Sequence, residues 1–227
     1  MQMEKEQFEA VLVGLATKKP YFLSENEFQI ALAEELANFE RKNGHEGACA
    51  YLDQNKNIIN RKTTMNPDIV VTKIKFPKDE YDACQDLDYV ECKHKTCGEY
   101  VDNERVVRQS SKKKQAYNKA RCEFWEDVER MESVDSKQPG LVNKYVVFLT
   151  NDEKFWSERN SPENSSDREL RLHNGRGDVT GEMIYYTNRN GVPANKTIIL
   201  KGAYRLEKDA WKPYGRSNFK YLLIEVK

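Results

Sequence analysis

Two periods of apolar residues alternate along the chain. Phe8, Val11, Leu12 and Leu15 recur at helical spacing over residues 1–18, and Pro20 ends that segment. A second helix is predicted from Ser24. Glu27 lies three residues on, so Ser24 and Glu27 make a capping box. Phe28, Ala31, Leu32, Leu36 and Phe39 then line one face, and Asn43-Gly44 closes the helix. The period shortens after that. Residues 48–52 predict a short strand, and residues 68–76 (Asp-Ile-Val-Val-Thr-Lys-Ile-Lys-Phe) a β-branched one. A polar stretch, 77–86, separates it from a third strand at 87–94, and the spacing suits two antiparallel neighbours.

A long helix is predicted over 104–133, with Val106, Val107, Ala116, Ala120, Phe124, Val128 and Met131 as a broken apolar stripe. Pro139-Gly140 ends the unit. Residues 145–149 (Tyr-Val-Val-Phe-Leu) are continuously apolar and predict a strand buried on both faces. Strand-like text returns at 197–200, 203–206 and 221–226. The order helix, strand, strand, strand, helix, strand over 24–150 implies an α/β fold, a central mixed sheet flanked by helices with an elaborated strand-rich C-terminal part. A single domain, 1–227, is the simplest organisation. It has an N-terminal helical extension (1–23), a core (24–156), a polar surface segment (157–182) and C-terminal strands (183–227) that complete it.

Composition narrows the class. Hydrophobic residues are 38% of 227, aromatic residues 11% and charged residues 33%, which is too apolar and aromatic for a disordered chain. No apolar run approaches the roughly 18 residues needed to span a bilayer. The early run Ala10 to Ala16 follows Glu4, Lys5, Glu6 and Glu9, which is not the positive start of a secretion signal. Five cysteines (Cys49, Cys84, Cys92, Cys97, Cys122) is an odd number, so reduced thiols and a cytoplasmic setting are expected. Cys92, His94 and Cys97 lie close together, yet their spacing fits no common zinc finger. Lys plus Arg and Asp plus Glu are both 37, so any polyanionic partner must be held by a local patch.

The candidate chemistry centres on Pro67-Asp68 and Glu91-Cys92-Lys93. Strand side chains alternate, so Glu91 and Lys93 share one face, while Val90, Cys92 and His94 share the other. If the two strands pair, Asp68 can approach Glu91. Two carboxylates about 4 Å apart repel by roughly 4 kcal/mol at an effective dielectric of about 20. One protonates, or a cation sits between them. Oxygen ligands of this kind suit Mg²⁺ or Mn²⁺. The plainer alternative is a turn residue at a strand entrance and a solvated Glu/Lys face on an edge strand.

These motifs and their order resemble the PD-(D/E)XK, restriction-endonuclease-like nuclease superfamily. Ser24-Glu25-Asn26-Glu27-Phe28-Gln29, Glu91-Cys92-Lys93-His94-Lys95-Thr96 and Leu149-Thr150-Asn151-Asp152 with Phe155-Trp156 resemble a bacterial group within it. So do Gly202-Ala203-Tyr204-Arg205-Leu206 and Phe219-Lys220-Tyr221-Leu222-Leu223, and the resemblance runs from about residue 24 to the end. It implies a metal-dependent nuclease acting on DNA, with Asp68 and Glu91 as metal ligands and Lys93 as the catalytic lysine. It also implies an acid on the first core helix. Glu25 and Glu27 are the candidates, and Glu25 is favoured because Glu27 serves the capping box.

DNA would be held by a basic stretch, Arg105, Arg108, Lys112, Lys113, Lys114, Lys119 and Arg121, which contains no acid. A solvated helix face is the competing reading of those charges. A homodimer is a further expectation, since two sites would cut two strands. The alternative function, from a different class, is a non-catalytic DNA-binding or assembly module on the same fold.

Overall fold

The computed structural model describes residues 3–52, 67–74, 85–96, 99–102, 105–108, 115–134, 140–158, 168–189 and 192–227. In chain order these form α1 (Lys5–Lys18), α2 (Glu25–Lys42), β1 (Cys49–Leu52), β2 (Ile69–Ile74), β3 (Gln85–Lys95), β4 (Glu99–Asp102), β5 (Arg105–Arg108), α3 (Gln115–Ser133) and β6 (Leu141–Thr150). A 3₁₀ turn (Arg168–Leu170) precedes β7 (Gly177–Arg189), β8 (Val192–Leu206), β9 (Trp211–Pro213) and β10 (Lys220–Glu225). The fold is α/β, with a mixed six-stranded sheet in the order β1-β2-β3-β6-β10-β9. Only β3 and β6 run parallel; the other neighbours are antiparallel.

Helices cover both faces of this sheet. Val146 and Phe148 of β6, with Leu222 and Ile224 of β10, pack on the side of α3. Tyr145, Val147 and Leu149, with Tyr221 and Leu223, pack on the side of α1 and α2. A strand buried on both sides needs no polar alternation, which explains the unbroken apolar run of β6. α2 starts where the sequence places it. Ser24 Oγ accepts from the Glu27 amide at 3.1 Å, and Glu27 Oε2 accepts from the Leu23 amide at 2.7 Å. Among the described residues, no helix is long and apolar enough to cross a membrane.

Three expectations change. Of the helix predicted over 104–133, Gln115–Ser133 is helical, whereas Arg105–Arg108 is a strand paired with Glu99–Asp102 and residues 109–114 lie outside the described residues. The register sets Glu99 opposite Arg108 and Asp102 opposite Arg105, and the central Val-Val pair favours extended backbone. The two strands predicted at 197–200 and 203–206 are one, β8, in a long hairpin with β7. The segment 157–182 is not simply a polar surface: Leu170, Leu172 and Val179 are buried in the α3-side core.

The hairpin is pinned to α3 by acids. Glu129 accepts from the Ile199 amide at 2.7 Å. Glu132 accepts from the amides of Lys201 and Gly202 and from the Tyr204 hydroxyl, each at 2.7 Å. A second polar cluster lies inside the sheet layer. Lys73, fully buried on β2, places Nζ 2.7 Å from Asp88 Oδ2 and 3.4 Å from Glu40 Oε1. Asn143 donates to Asp88 at 2.7 Å, and His45 Nδ1 lies 2.7 Å from Glu40 Oε2. This network ties α2, β2, β3 and β6 together beneath the apolar layers.

Candidate active site

The site forms where β2 stops pairing with β3. Their register ends at Ile69 opposite Val90, so the β3 amides beyond that point need other acceptors. Asp68 Oδ2 accepts from the Cys92 amide at 2.7 Å, and Glu25 Oε2 accepts from the His94 amide at 2.9 Å. Two carboxylates, one from the entrance of β2 and one from the first turn of α2, thus line the free edge of β3. The opposite edge of β3 stays paired with β6 as far as Lys95 and Thr150.

Alternation along β3 divides the side chains as expected. Cys92 is buried on the α1/α2 side. The His94 ring is on the same side, stacked on Phe219 with centroids 6.1 Å apart. Glu91 and Lys93 turn toward α3. There they meet two residues that the sequence reading did not single out, Asp127 and Arg130. Lys93 Nζ lies 2.9 Å from Asp127 Oδ2. Arg130 NH2 lies 2.7 Å from Asp127 Oδ1 and 2.7 Å from Glu91 Oε1. A signal for Asp127 exists in the sequence: it sits at i+3 from Phe124 and i−4 from Met131, so it is an acid inside an apolar helical stripe.

Electrostatics follow from this crowding. Burial, reinforced by Asp68 and Asp127, pushes the Glu91 carboxyl up to about 9 against the pull of Arg130. Burial likewise raises Asp127, with Lys93 and Arg130 opposing. Burial works to lower Lys93, but Asp127, Glu25 and Asp68 outweigh it and hold the ammonium above its ordinary range. Lys93 therefore stays cationic while its side chain is only 18% exposed.

The predicted residues divide clearly. Asp68, Glu91, Lys93 and Glu25 come together around one strand edge. Glu27 is committed elsewhere, to the α2 cap and to Lys19 at 2.6 Å. The expected continuous basic helix is not formed. Arg105 and Arg108 stand on β5, apart in element from Lys119 on α3, and Lys112, Lys113 and Lys114 lie outside the described residues. Lys119 is exposed and paired with Glu123 at 3.2 Å. Arg121 leaves the basic face altogether: it is buried, donates to the Lys154 carbonyl at 2.6 Å, and lies over the Phe155 ring.

Asp68 and Glu91 are the residues that could hold a divalent ion. Among the described residues, no group of three or more His, Cys, Asp or Glu forms a ready cage. Mg²⁺ does not require one, since one or two carboxylates with water and phosphate oxygens suffice. The donor chemistry fits: burial and the nearby Asp68 and Asp127 disfavour the bare Glu91 anion, and a divalent ion between Asp68 and Glu91 would offset that repulsion. No family model, curated protein or solved structure matches the chain.

Proposed function

We propose that the protein is a metal-dependent nuclease that hydrolyses DNA phosphodiester bonds, built on a restriction-endonuclease-like core. The observation that supports this most is the convergence of Asp68, Glu91 and Lys93 at the free edge of β3, with Glu25 at the same edge. Asp68 and Glu91 would hold Mg²⁺ or Mn²⁺, which when bound supplies Lewis-acid polarisation of a phosphoryl oxygen. The chain supplies the rest. Lys93 presents a fixed ammonium for the charge that grows on the phosphoryl oxygens and orients the attacking water. Asp127 holds that ammonium in place and keeps it protonated. Asp68 and Glu25, by capping the amides of Cys92 and His94, fix the strand edge on which Glu91 and Lys93 ride.

The test is cleavage of plasmid and single-stranded DNA in Mg²⁺, Mn²⁺ or EDTA. Cutting that depends on metal and is lost in Asp68→Ala and Glu91→Ala supports the reading. Equal cutting by either folded variant removes that residue from the mechanism.

A specific observation favours one other reading. Lys93 and Glu91 are both engaged by α3, through Asp127 and Arg130. A DNA-binding or assembly module without catalysis would tolerate that arrangement. Salt-sensitive DNA binding without cutting under any metal condition would select it.

A further inference from the structure

Arg130 bears directly on the divalent ion that the proposed nuclease needs. Its NH2 lies 2.7 Å from Glu91 Oε1 and 2.7 Å from Asp127 Oδ1. A guanidinium at that distance supplies the positive charge beside Glu91 Oε1 that a cation there would otherwise bring. Glu91 is held in the core with its side chain 2% exposed, so a cation that reaches it meets Arg130 already beside the carboxylate. Arg130 can move. Its side chain is 42% exposed on the surface of α3, and a long, flexible stem links it to the helix. Lys93 is different: it sits on the other oxygen of Asp127, is 18% exposed, and does not contact Glu91 in an ion pair among the described residues.

The charge count points the same way. Among the described residues, four carboxyl groups (Glu25, Asp68, Glu91, Asp127) lie around two cations, Lys93 and Arg130. Two unit positive charges are needed to balance the cluster if all four acids ionise. A divalent ion would supply them, and it would repel a guanidinium from the same carboxylate.

Resting on the nuclease reading above, we propose that Arg130 is a resident counter-cation that competes with the divalent ion for Glu91. It compensates Glu91 and Asp127 until the ion arrives, then swings toward solvent while Lys93 remains on Asp127. The site is thereby tuned to bind metal more weakly than its carboxylates alone would.

The experiment is Mn²⁺ binding by calorimetry to the full chain, comparing the unaltered protein, Arg130→Gln and Asp68→Ala. Arg130→Gln is expected to bind Mn²⁺ about tenfold more tightly, since one charge-assisted contact no longer competes. In parallel, the Arg130 Nε–H resonance of the unaltered protein should move as Mg²⁺ is added. Equal or weaker binding by Arg130→Gln, with the unaltered protein binding and Asp68→Ala not, overturns the competition and leaves the nuclease reading standing. No Mn²⁺ binding by either protein overturns both. Should Arg130→Gln fail to fold, the resonance decides alone: an unmoved signal at saturating Mg²⁺ overturns the proposal.

Discussion

Lys93 and Asp127 form an ion pair of 2.9 Å between the middle of the sheet and the helix that covers it. The pair joins a strand residue to one 34 positions later, and it fixes the direction of the Lys93 ammonium. In the proposed mechanism Asp127 acts through Lys93, as a positioning residue. Asp127→Asn keeps the shape and removes the charge. Turnover on DNA is expected to fall roughly tenfold to a hundredfold, with KM nearly unchanged, because positioning errors cost rate rather than ground-state binding. A rise in KM with unchanged kcat would make Asp127 a binding residue instead.

His94 predicts how stability follows pH. Its ring is buried among Phe22, Phe28 and Phe219, and among the described residues Nε2 has no hydrogen-bond partner. Burial, with Lys95 in support and Glu27 opposed, pulls the imidazole down to about 4. The folded value lies below the unfolded one of about 6.5, so the unfolded chain binds the proton first. The stabilisation is present above pH ~6.5 and drains as pH falls toward ~4, by an amount on the order of 3 kcal/mol. His94→Phe removes this loss. Urea unfolding at about pH 7 and pH 4.5 checks it: the two proteins should diverge only at the lower pH.

The buried network around Lys73 predicts a sharp stability loss. Lys73→Met leaves Glu40 and Asp88 without the cation that faces both of them. Removing one partner of a buried ion pair costs about 3–5 kcal/mol. Chemical unfolding should show that decrease, whereas replacement of the exposed Lys119, paired with Glu123, should change stability by less than about 1 kcal/mol.

Gly202 tests how α3 holds the long hairpin. A Cβ there would sit 2.9 Å from the Tyr204 hydroxyl oxygen and 3.0 Å from Glu132 Oε1. Those are the atoms whose hydrogen bond fastens β8 to α3. Gly202→Ala must push them apart, and a cost of about 1–3 kcal/mol is expected from overpacking. Thermal unfolding measures it; an unchanged midpoint would show that Glu132 is not a tight anchor.

Much of this arrangement was legible in the chain because short-range rules carried it. Ser24 and Glu27 announce the start of α2, the run from Tyr145 to Leu149 announces a strand covered on both sides, and the alternation at Val90 to His94 sorts β3 into its two faces. The same alternation places Asp68, Glu91 and Lys93 near one another, whereas Glu25 is implied only by the resemblance to the PD-(D/E)XK nucleases. What failed depends on distant partners. Arg105 to Arg108 looks like the start of a helix until Glu99 to Asp102 is laid beside it with opposite charges in register. Arg121 reads as one more surface cation, yet it is buried against Phe155 and the Lys154 carbonyl. Asp127 and Arg130 were missed because their role exists only once α3 lies over β3. The hairpin of β7 and β8 needs Glu129 and Glu132 of α3 to satisfy its amides, and nothing within residues 177–206 advertises that.

The claim that Asp68, Glu91 and Lys93 form one hydrolytic site is tested most directly with Lys93→Ala. The variant keeps both carboxylates that would hold the ion and removes only the ammonium. Plasmid nicking should be followed in Mg²⁺ and in EDTA, with Mn²⁺ binding measured on the same samples. The account expects metal-dependent cutting by the unaltered protein, and cutting reduced at least about a hundredfold in Lys93→Ala while Mn²⁺ still binds. Cutting by a folded Lys93→Ala at the unaltered rate would contradict it.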